Sequence, residues 1–412
     1  MYFYKLYRQL KRFMKEKESA LYSQYIIDGV RCDASPAALL DECLEFSDFP
    51  DDESGYDDII DESTEPPLAS AEFDSSKTAE YVSRISEAAC SERPFSLLYP
   101  DHFTRLQIAR SLLDRLWSEG HFRLYNLRLW AQWDWNTRPI GNMASFYRST
   151  EAASDYIFGL GVKMSDYLFI ENDERCSAKF FAWLPDGDED AARGEDTTDE
   201  EAAVAPEIPY AGETALFRSP FESRHPWIGN RRKCPATMVP DPQSWIIYIP
   251  FDTCPFRSGG SLLAQTYGQN GGQEPRIGDP DYFIDCYEVV RELVEDGIIK
   301  AGSTVADGGL ATAAERMCQE AGLEMDIRGI LSSYGETDPV KVLFGEVPGV
   351  LIQIGNNDYD YLDSQLILQD IAYYPVGRPS ADLTGLRLTD KPKKGVADIL
   401  ASLLEQATEG ED

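Results

Sequence analysis

The sequence predicts an α+β protein: a layered mixed sheet with helices towards the carboxy terminus, preceded by a helix-rich, aromatic-rich amino-terminal region. Three patterns carry this expectation. Apolar strand-like runs and amphipathic helix-like runs interleave between Trp245 and Ile354. Two glycine turns, Arg257-Ser258-Gly259-Gly260-Ser261 and Asp307-Gly308-Gly309-Leu310, stand where strands give way to helices. Further upstream, Phe103, Leu106, Ile108, Ala109, Leu112, Leu113, Leu116 and Trp117 fall at helical spacing between Asp101 and a stop at Gly120.

Taken in order, Met1 to Lys17 places Phe3, Tyr7, Leu10 and Met14 on one face among basic residues, which predicts a basic amphipathic helix packing on the acidic body of its own chain. Ser35 caps a short helix running to Leu44, and the acidic, Pro-bearing stretch from Asp48 to Ser76 reads as a linker. A helix is expected over Lys77 to Ala89. The region Phe122 to Tyr147, with Trp130, Trp133 and Trp135, reads as core or interface in preference to a base-stacking surface, because aromatics bury large areas. Strands are expected at Tyr167 to Ile170 and Ala178 to Leu184, before an acidic insert. Beyond it come a strand at Trp245 to Ile249, a helix from Asp281 to Asp296 stopped by Gly297, and a strand from Ile298 to Val305. A helix from Leu310 to Ala321, strands at Leu323 to Ile327 and Val350 to Ile354, and an amphipathic tail helix from Gly395 to Gln406 complete the reading. The domain divisions that follow are 1–76, 77–185, 186–206, 207–385 and 386–412.

Composition narrows the function. With 412 residues, 43% of them hydrophobic, the chain can bury a substantial core. Its formal charge of −34 repels phosphate backbones and anionic lipid heads, which argues against nucleic-acid and membrane partners. There is no apolar run long enough for a signal sequence or membrane span. Eight Cys without a CxxC pair predict neither a disulfide framework nor a zinc site, and a metal site is not expected; the thiols point to a reducing compartment, the cytoplasm.

The glycine turn at 257–261 opens a helix, where free N–H groups and the helix dipole favour an anion; Arg257 and the hydroxyls of Ser258 and Ser261 would complete such a site. Asp307 either caps the helix beginning at Leu310 or faces a cleft, with Gly308 and Gly309 letting a ligand approach. Glu346, in the turn Phe344-Gly345-Glu346, reads as a solvated carboxylate on the same rim.

In their order and spacing these segments, Arg257 to Gln269, Val305 to Leu310 and Val342 to Ile354, together with Pro240-Asp241-Pro242 leading into Trp245, resemble the carboxy-terminal domain of the aminoimidazole ribonucleotide (AIR) synthetase superfamily, most closely its copy in the phosphoribosylformylglycinamidine synthases of purine biosynthesis. The resemblance covers about residues 235–356. Ser258 stands where that family has Leu, and Ser303, Thr304 and Ala306 replace its polar residues before the Asp-Gly-Gly turn. The family's amino-terminal Glu-x-His-Asn-His-Pro element and its glutaminase have no counterpart here.

The resemblance implies a phosphate-bearing ligand at Arg257, Ser258, Gly259, Gly260, Ser261, Asp307, Gly308, Gly309 and Glu346, with Arg257 and Asp307 facing one cleft. It also implies ATP or ADP with Mg2+, and a homodimer or a protein partner. Catalytic residues are not identifiable. The expected function is that of a diverged or partner-dependent relative of the purine amidotransferase. The alternatives are an active ATP-dependent C–N ligase acting on a phosphoribosyl amide, and an acidic interaction scaffold.

Overall fold

The computed structural model describes residues 19–45, 73–185, 231–269 and 272–389. The basic helix at 1–17, most of the linker at 48–76, the insert at 186–206 and the tail helix at 395–406 lie outside the described residues.

The first half begins with a two-residue hairpin, β1 (Ile26–Ile27) and β2 (Val30–Arg31), and then α1 (Pro36–Glu45), α2 (Thr78–Ala88) and α3 (Pro100–Leu113). Next come β3 (Arg128–Asn136), α4 (Ile140–Gly159), β4 (Lys163–Asn172) and β5 (Ser177–Trp183). These strands make a sheet in the order β4-β3-β5, with β3 parallel to β4 and antiparallel to β5. The parallel pair is joined through α4, as a strand–helix–strand crossover requires. Along β3, Trp133 and Trp135 point into the core, where their indole N–H groups donate to Ser149 Oγ at 3.0 Å and to the carbonyl of Asn142 at 2.8 Å. The Trp cluster is therefore core at these two positions.

The second half contains β6 (Ser244–Pro250), α5 (Leu262–Thr266), α6 (Pro280–Glu295), β7 (Ile299–Val305), α7 (Gly309–Met317) and β8 (Gly322–Met325). It continues with α8 (Arg328–Tyr334), α9 (Pro339–Phe344), β9 (Gly349–Gly355), α10 (Tyr359–Leu368), β10 (Tyr374–Gly377), β11 (Pro379–Ser380) and β12 (Leu386–Leu388). Its main sheet has the order β10-β6-β9-β7, antiparallel throughout, with Ile247 opposite Ile352. Both strands are buried along nearly their whole length because both faces of the sheet are covered, and the polar Ser244 and Gln353 bond each other at 2.7 Å. Helix α6 meets the end of β6 through Phe283, whose ring is 5.3 Å from that of Phe251, and through Cys286, whose Sγ lies 3.6 Å from the Pro250 carbonyl. A smaller sheet, β11-β8-β12, lies beside it. The architecture is α+β, as the sequence predicts.

One continuous apolar core runs through both halves. Trp117, in the turn after α3, lies flat on β7 at Gly302, where a Cβ would come within 2.1 Å of the indole ring; only glycine permits that approach. The indole N–H donates to Thr304 Oγ1 at 3.1 Å. Arg291 on α6 is fully buried and donates to the carbonyls of Leu116, Ser118 and Gly120, which fixes the chain just beyond α3 against the second half. This arrangement carries α3 and the loop before it to the helix starts of the second half.

Candidate functional site

Both glycine turns begin helices, and each helix start leaves backbone N–H groups in need of acceptors. In α5, Ser261 is the cap, and its Oγ accepts from Ala264 N at 3.2 Å. In α7 the cap is Gly308, at φ +79°, followed by Gly309 at φ +69°. A Cβ on Gly309 would also come within 2.7 Å of the Leu343 carbonyl oxygen, so conformation and space both require glycine there.

A single carboxylate ties the two turns together. Glu346 Oε1 accepts from Leu262 N at 2.9 Å and from Gly308 N at 2.8 Å. The sequence expectation of a solvated Glu346 is corrected: the side chain is fully buried, because it serves two helix N-termini at once. Its Oε2 lies 2.9 Å from Arg93 Nη1 and 3.8 Å from His102 Nε2.

Arg93, in the loop between α2 and α3, fills the space between the turns. Its Nη1 also donates to Asp307 Oδ1 at 2.6 Å, its Nη2 to the Gly260 carbonyl at 2.6 Å, and its Nε to Gln265 Oε1 at 3.1 Å. Asp307 further accepts from Gln107 Nε2 at 2.8 Å and pairs with Arg110. Burial pushes the Asp307 carboxyl up, but Arg93 and then Arg110 overcome that and hold it below the usual range. The guanidinium of Arg93 is likewise lowered by burial and raised more strongly by Glu346 and Asp307, with a net upward shift. Asp307 is thus not the cap of α7; its side chain faces the arginines of the first half.

On the other side of Asp307 opens a cavity of about 430 Å3. It lies between the end of α2, helix α3 and strand β5, and its lining includes Arg93, Arg110, Arg115, Lys179, Phe103 and Phe181. A smaller cavity of about 100 Å3 adjoins the same Arg110–Asp307 pair. Of the sequence-predicted site residues, Asp307 lines both cavities and residues 257–261 line neither. The Arg257 side chain, 35% exposed, points its guanidinium to Glu336 at 3.8 Å. The N–H groups of Gly259, Ser261, Leu262 and Ala264 already have protein acceptors: the Gln273 and Ser258 carbonyls, Glu346 and Ser261 Oγ. The two turns converge through Glu346, with Arg257 turned away from Asp307's arginines.

Sequence reasoning missed Arg93, Gln107, Arg110, Arg115 and Lys179. One signal was available: α3 carries His102 and Thr104 among its apolar positions, and both are buried. A helix with polar residues inside its apolar stripe has partners on more than one side.

Two glycine turns are thus anchored on one buried glutamate beside an antiparallel sheet. Residues 249–358 match the family described as AIR synthase related protein, C-terminal domain. The chain is 23% identical over 332 residues to an Arabidopsis thaliana protein described as a probable phosphoribosylformylglycinamidine synthase, chloroplastic/mitochondrial, covering 77% of this chain and 20% of that one. It is 28% identical over 135 residues to the Homo sapiens phosphoribosylformylglycinamidine synthase, covering 30% of this chain and 10% of that one. Among solved structures, Thermotoga maritima PurL complexed with AMPPCP aligns at 10% identity with a TM-score of 0.46, over 71% of this chain and 40% of that one. The chain thus spans about a fifth or less of the length of these curated relatives.

Magnesium with a nucleotide is the group that the superfamily implies. Asp307 and Glu346 do not fit a magnesium site, because their oxygens are taken by Arg93, Arg110, Gln107 and two backbone N–H groups. None of the described helices is long and apolar enough to cross a membrane.

Proposed function

We propose that this protein is a diverged or partner-dependent relative of the purine amidotransferase that binds a phosphate-bearing small molecule in the cavity beside Asp307 and does not transfer its phosphoryl group. The observation that carries this reading is a local reversal of charge. In a chain of net charge −34, the cavity is lined by four cations, Arg93, Arg110, Arg115 and Lys179, against three carboxylates, Glu92, Asp114 and Asp307. The excess of one positive charge, between low-dielectric walls, favours an anion over a cation. Its volume suits a ligand between a sugar phosphate and a nucleotide, and Phe103, Phe180 and Phe181 supply an apolar wall.

Within the site, Arg93 holds Asp307 and the two turns in place, and Arg110, 39% exposed, stands at the rim where a ligand phosphate can share it with Asp307. The pairing of Asp307 and Glu346 with arginine supports binding over phosphoryl transfer, whose rate depends on free carboxylates positioning magnesium. The relatives' names support a phosphoribosyl amide as the substrate class, and ATP or ADP as second ligand follows from the resemblance of the glycine turns to that family. The unpaired state of all eight cysteines supports a reducing compartment such as the cytoplasm.

Calorimetric titration of the full chain with ATP, ADP and inorganic phosphate, with magnesium present, tests this reading. Binding is expected, with a loss of about tenfold to hundredfold in Arg110→Ala, the range of a charge-assisted contact. Steady phosphate release from ATP would establish the active-ligase alternative instead, and absence of binding by all three compounds would remove the proposal.

A further inference from the structure

Among the four cations that line the large cavity, all but one are matched by a carboxylate. Arg93 pairs with Asp307 and Glu346, Arg110 with Asp307, and Lys179 with Glu92 at 2.7 Å. Arg115 is the exception. It stands just past the end of α3 and lines the large cavity, one helical turn beyond Ser111. Its Nε and Nη1 are sealed from solvent and have no hydrogen-bond partner. The guanidinium lies 5.9 Å from the Phe181 ring centre. Burial holds its pKa below the usual range, with neighbouring Asp114 acting weakly in the other direction. Two sealed nitrogens without acceptors carry a desolvation cost, and Nη2, which is neither sealed nor hydrogen-bonded, is the nitrogen left for an anion in the cavity to reach.

We infer that Arg115 is the anchor for an oxyanion of the bound small molecule, with Phe181 and Phe180 walling the ligand's uncharged part. The inference rests on the cavity being a ligand site and adds which residue grips the ligand. Phosphate and carboxylate groups both satisfy a guanidinium fork, so the shared chemistry is the oxyanion. Arg257, expected from the sequence to hold this role, points to Glu336 outside the cavity.

The test uses the full chain and three forms, the parent, Arg115→Met and Arg115→Lys, titrated with inorganic phosphate, ADP, ATP and citrate. Met fills the space of the arginine stem without its charge. Arg115→Met is expected to lose binding by about tenfold to hundredfold and Arg115→Lys to retain part of it. A second readout separates anchoring from structural support: the ligand-free Arg115→Met protein is expected to melt at a higher temperature than the parent, because an unmatched buried charge has gone. The rate of alkylation of Cys90, an exposed thiol on the cavity lining, should fall on adding ligand to the parent and not to Arg115→Met.

Equal affinity in the parent and Arg115→Met overturns the anchor while leaving the cavity reading intact. Arg115-dependent binding of citrate alone supports the anchor and overturns the phosphate reading. A failure of all four anions to bind overturns both. A lower melting temperature for Arg115→Met, with its ligand affinity unchanged, makes the residue structural.

Discussion

Asp307 divides two assemblies of charge that solve the same problem differently. On its inner side, Glu346, Arg93 and the two helix starts satisfy one another within hydrogen-bond distance, and the group is closed to solvent. On its outer side, Arg110 and Arg115 border an open cavity, and Arg115 has nothing to bind. The first arrangement fixes backbone; the second holds charge in reserve. The inner cluster is the more fully paired, since Glu346 Oε2, without a hydrogen-bond partner, still has the ion pair to Arg93 at 2.9 Å, so it belongs to folding and the outer one to recognition.

The largest expected effect breaks the inner side. Glu346→Ala removes the acceptor for Leu262 N and Gly308 N and leaves Arg93 half-paired, which is expected to destabilise the protein by about 3–5 kcal/mol in denaturant titration. A change below about 1 kcal/mol would mean that the two turns hold without it. Next, Gly309→Ala places a side chain at φ +69° against the Leu343 carbonyl and is expected to cost about 1–3 kcal/mol, measured the same way.

A pH titration of stability sharpens the contrast at the edge of the inner cluster. Burial raises the Glu274 carboxyl from 4.5 to about 7, with His102 acting weakly against it. A carboxyl raised on folding contributes stability below its unfolded pKa and loses that contribution as pH climbs through its folded value. The parent should therefore lose melting temperature between about pH 5 and pH 8 relative to Glu274→Gln, in which that slope is absent. Asp307, held low by Arg93 and Arg110 against its burial, works in the opposite sense: its contribution is present above the unfolded carboxylate pKa and disappears as pH falls through the folded value. The smallest effect is expected from Arg257→Ala. A partly exposed arginine 3.8 Å from Glu336 should change stability by about 0.5 kcal/mol or less and leave cavity binding untouched.

Much of this fold was legible in the sequence where a segment buried one clear stripe. The helices at 36–45, 78–88, 100–113 and 280–295, and the strands at 244–250, 299–305 and 349–355, lie where the periodicity places them. Strand β3 and helix α4 were hidden inside the aromatic-dense stretch. Strand β3 is buried on both faces, so Leu129, Ala131 and Gln132 break any alternation, and in α4 the buried Ser149, Thr150, Ala152, Ala153 and Ser154 interrupt the stripe between Phe146, Tyr147 and Tyr156, Ile157. The carboxy-terminal helices α8 and α9 are short, and α10 buries only Leu362 and Leu366, so none of the three shows a clear stripe. In the candidate site, the glycine turns and the carboxylates were visible because conformation and charge are local properties. Arg93 was not, since its meaning comes from Asp307, 214 positions away along the chain.

The indole of Trp117 resting on Gly302 has an evolutionary consequence. Position 302 can gain a side chain only if position 117 loses its ring, so the two should change together across lineages, and a graft of the second half alone would carry an indole-shaped slot across its central sheet. Chimeras that exchange halves between relatives would then be compatible only when they inherit matching partners at these two sites.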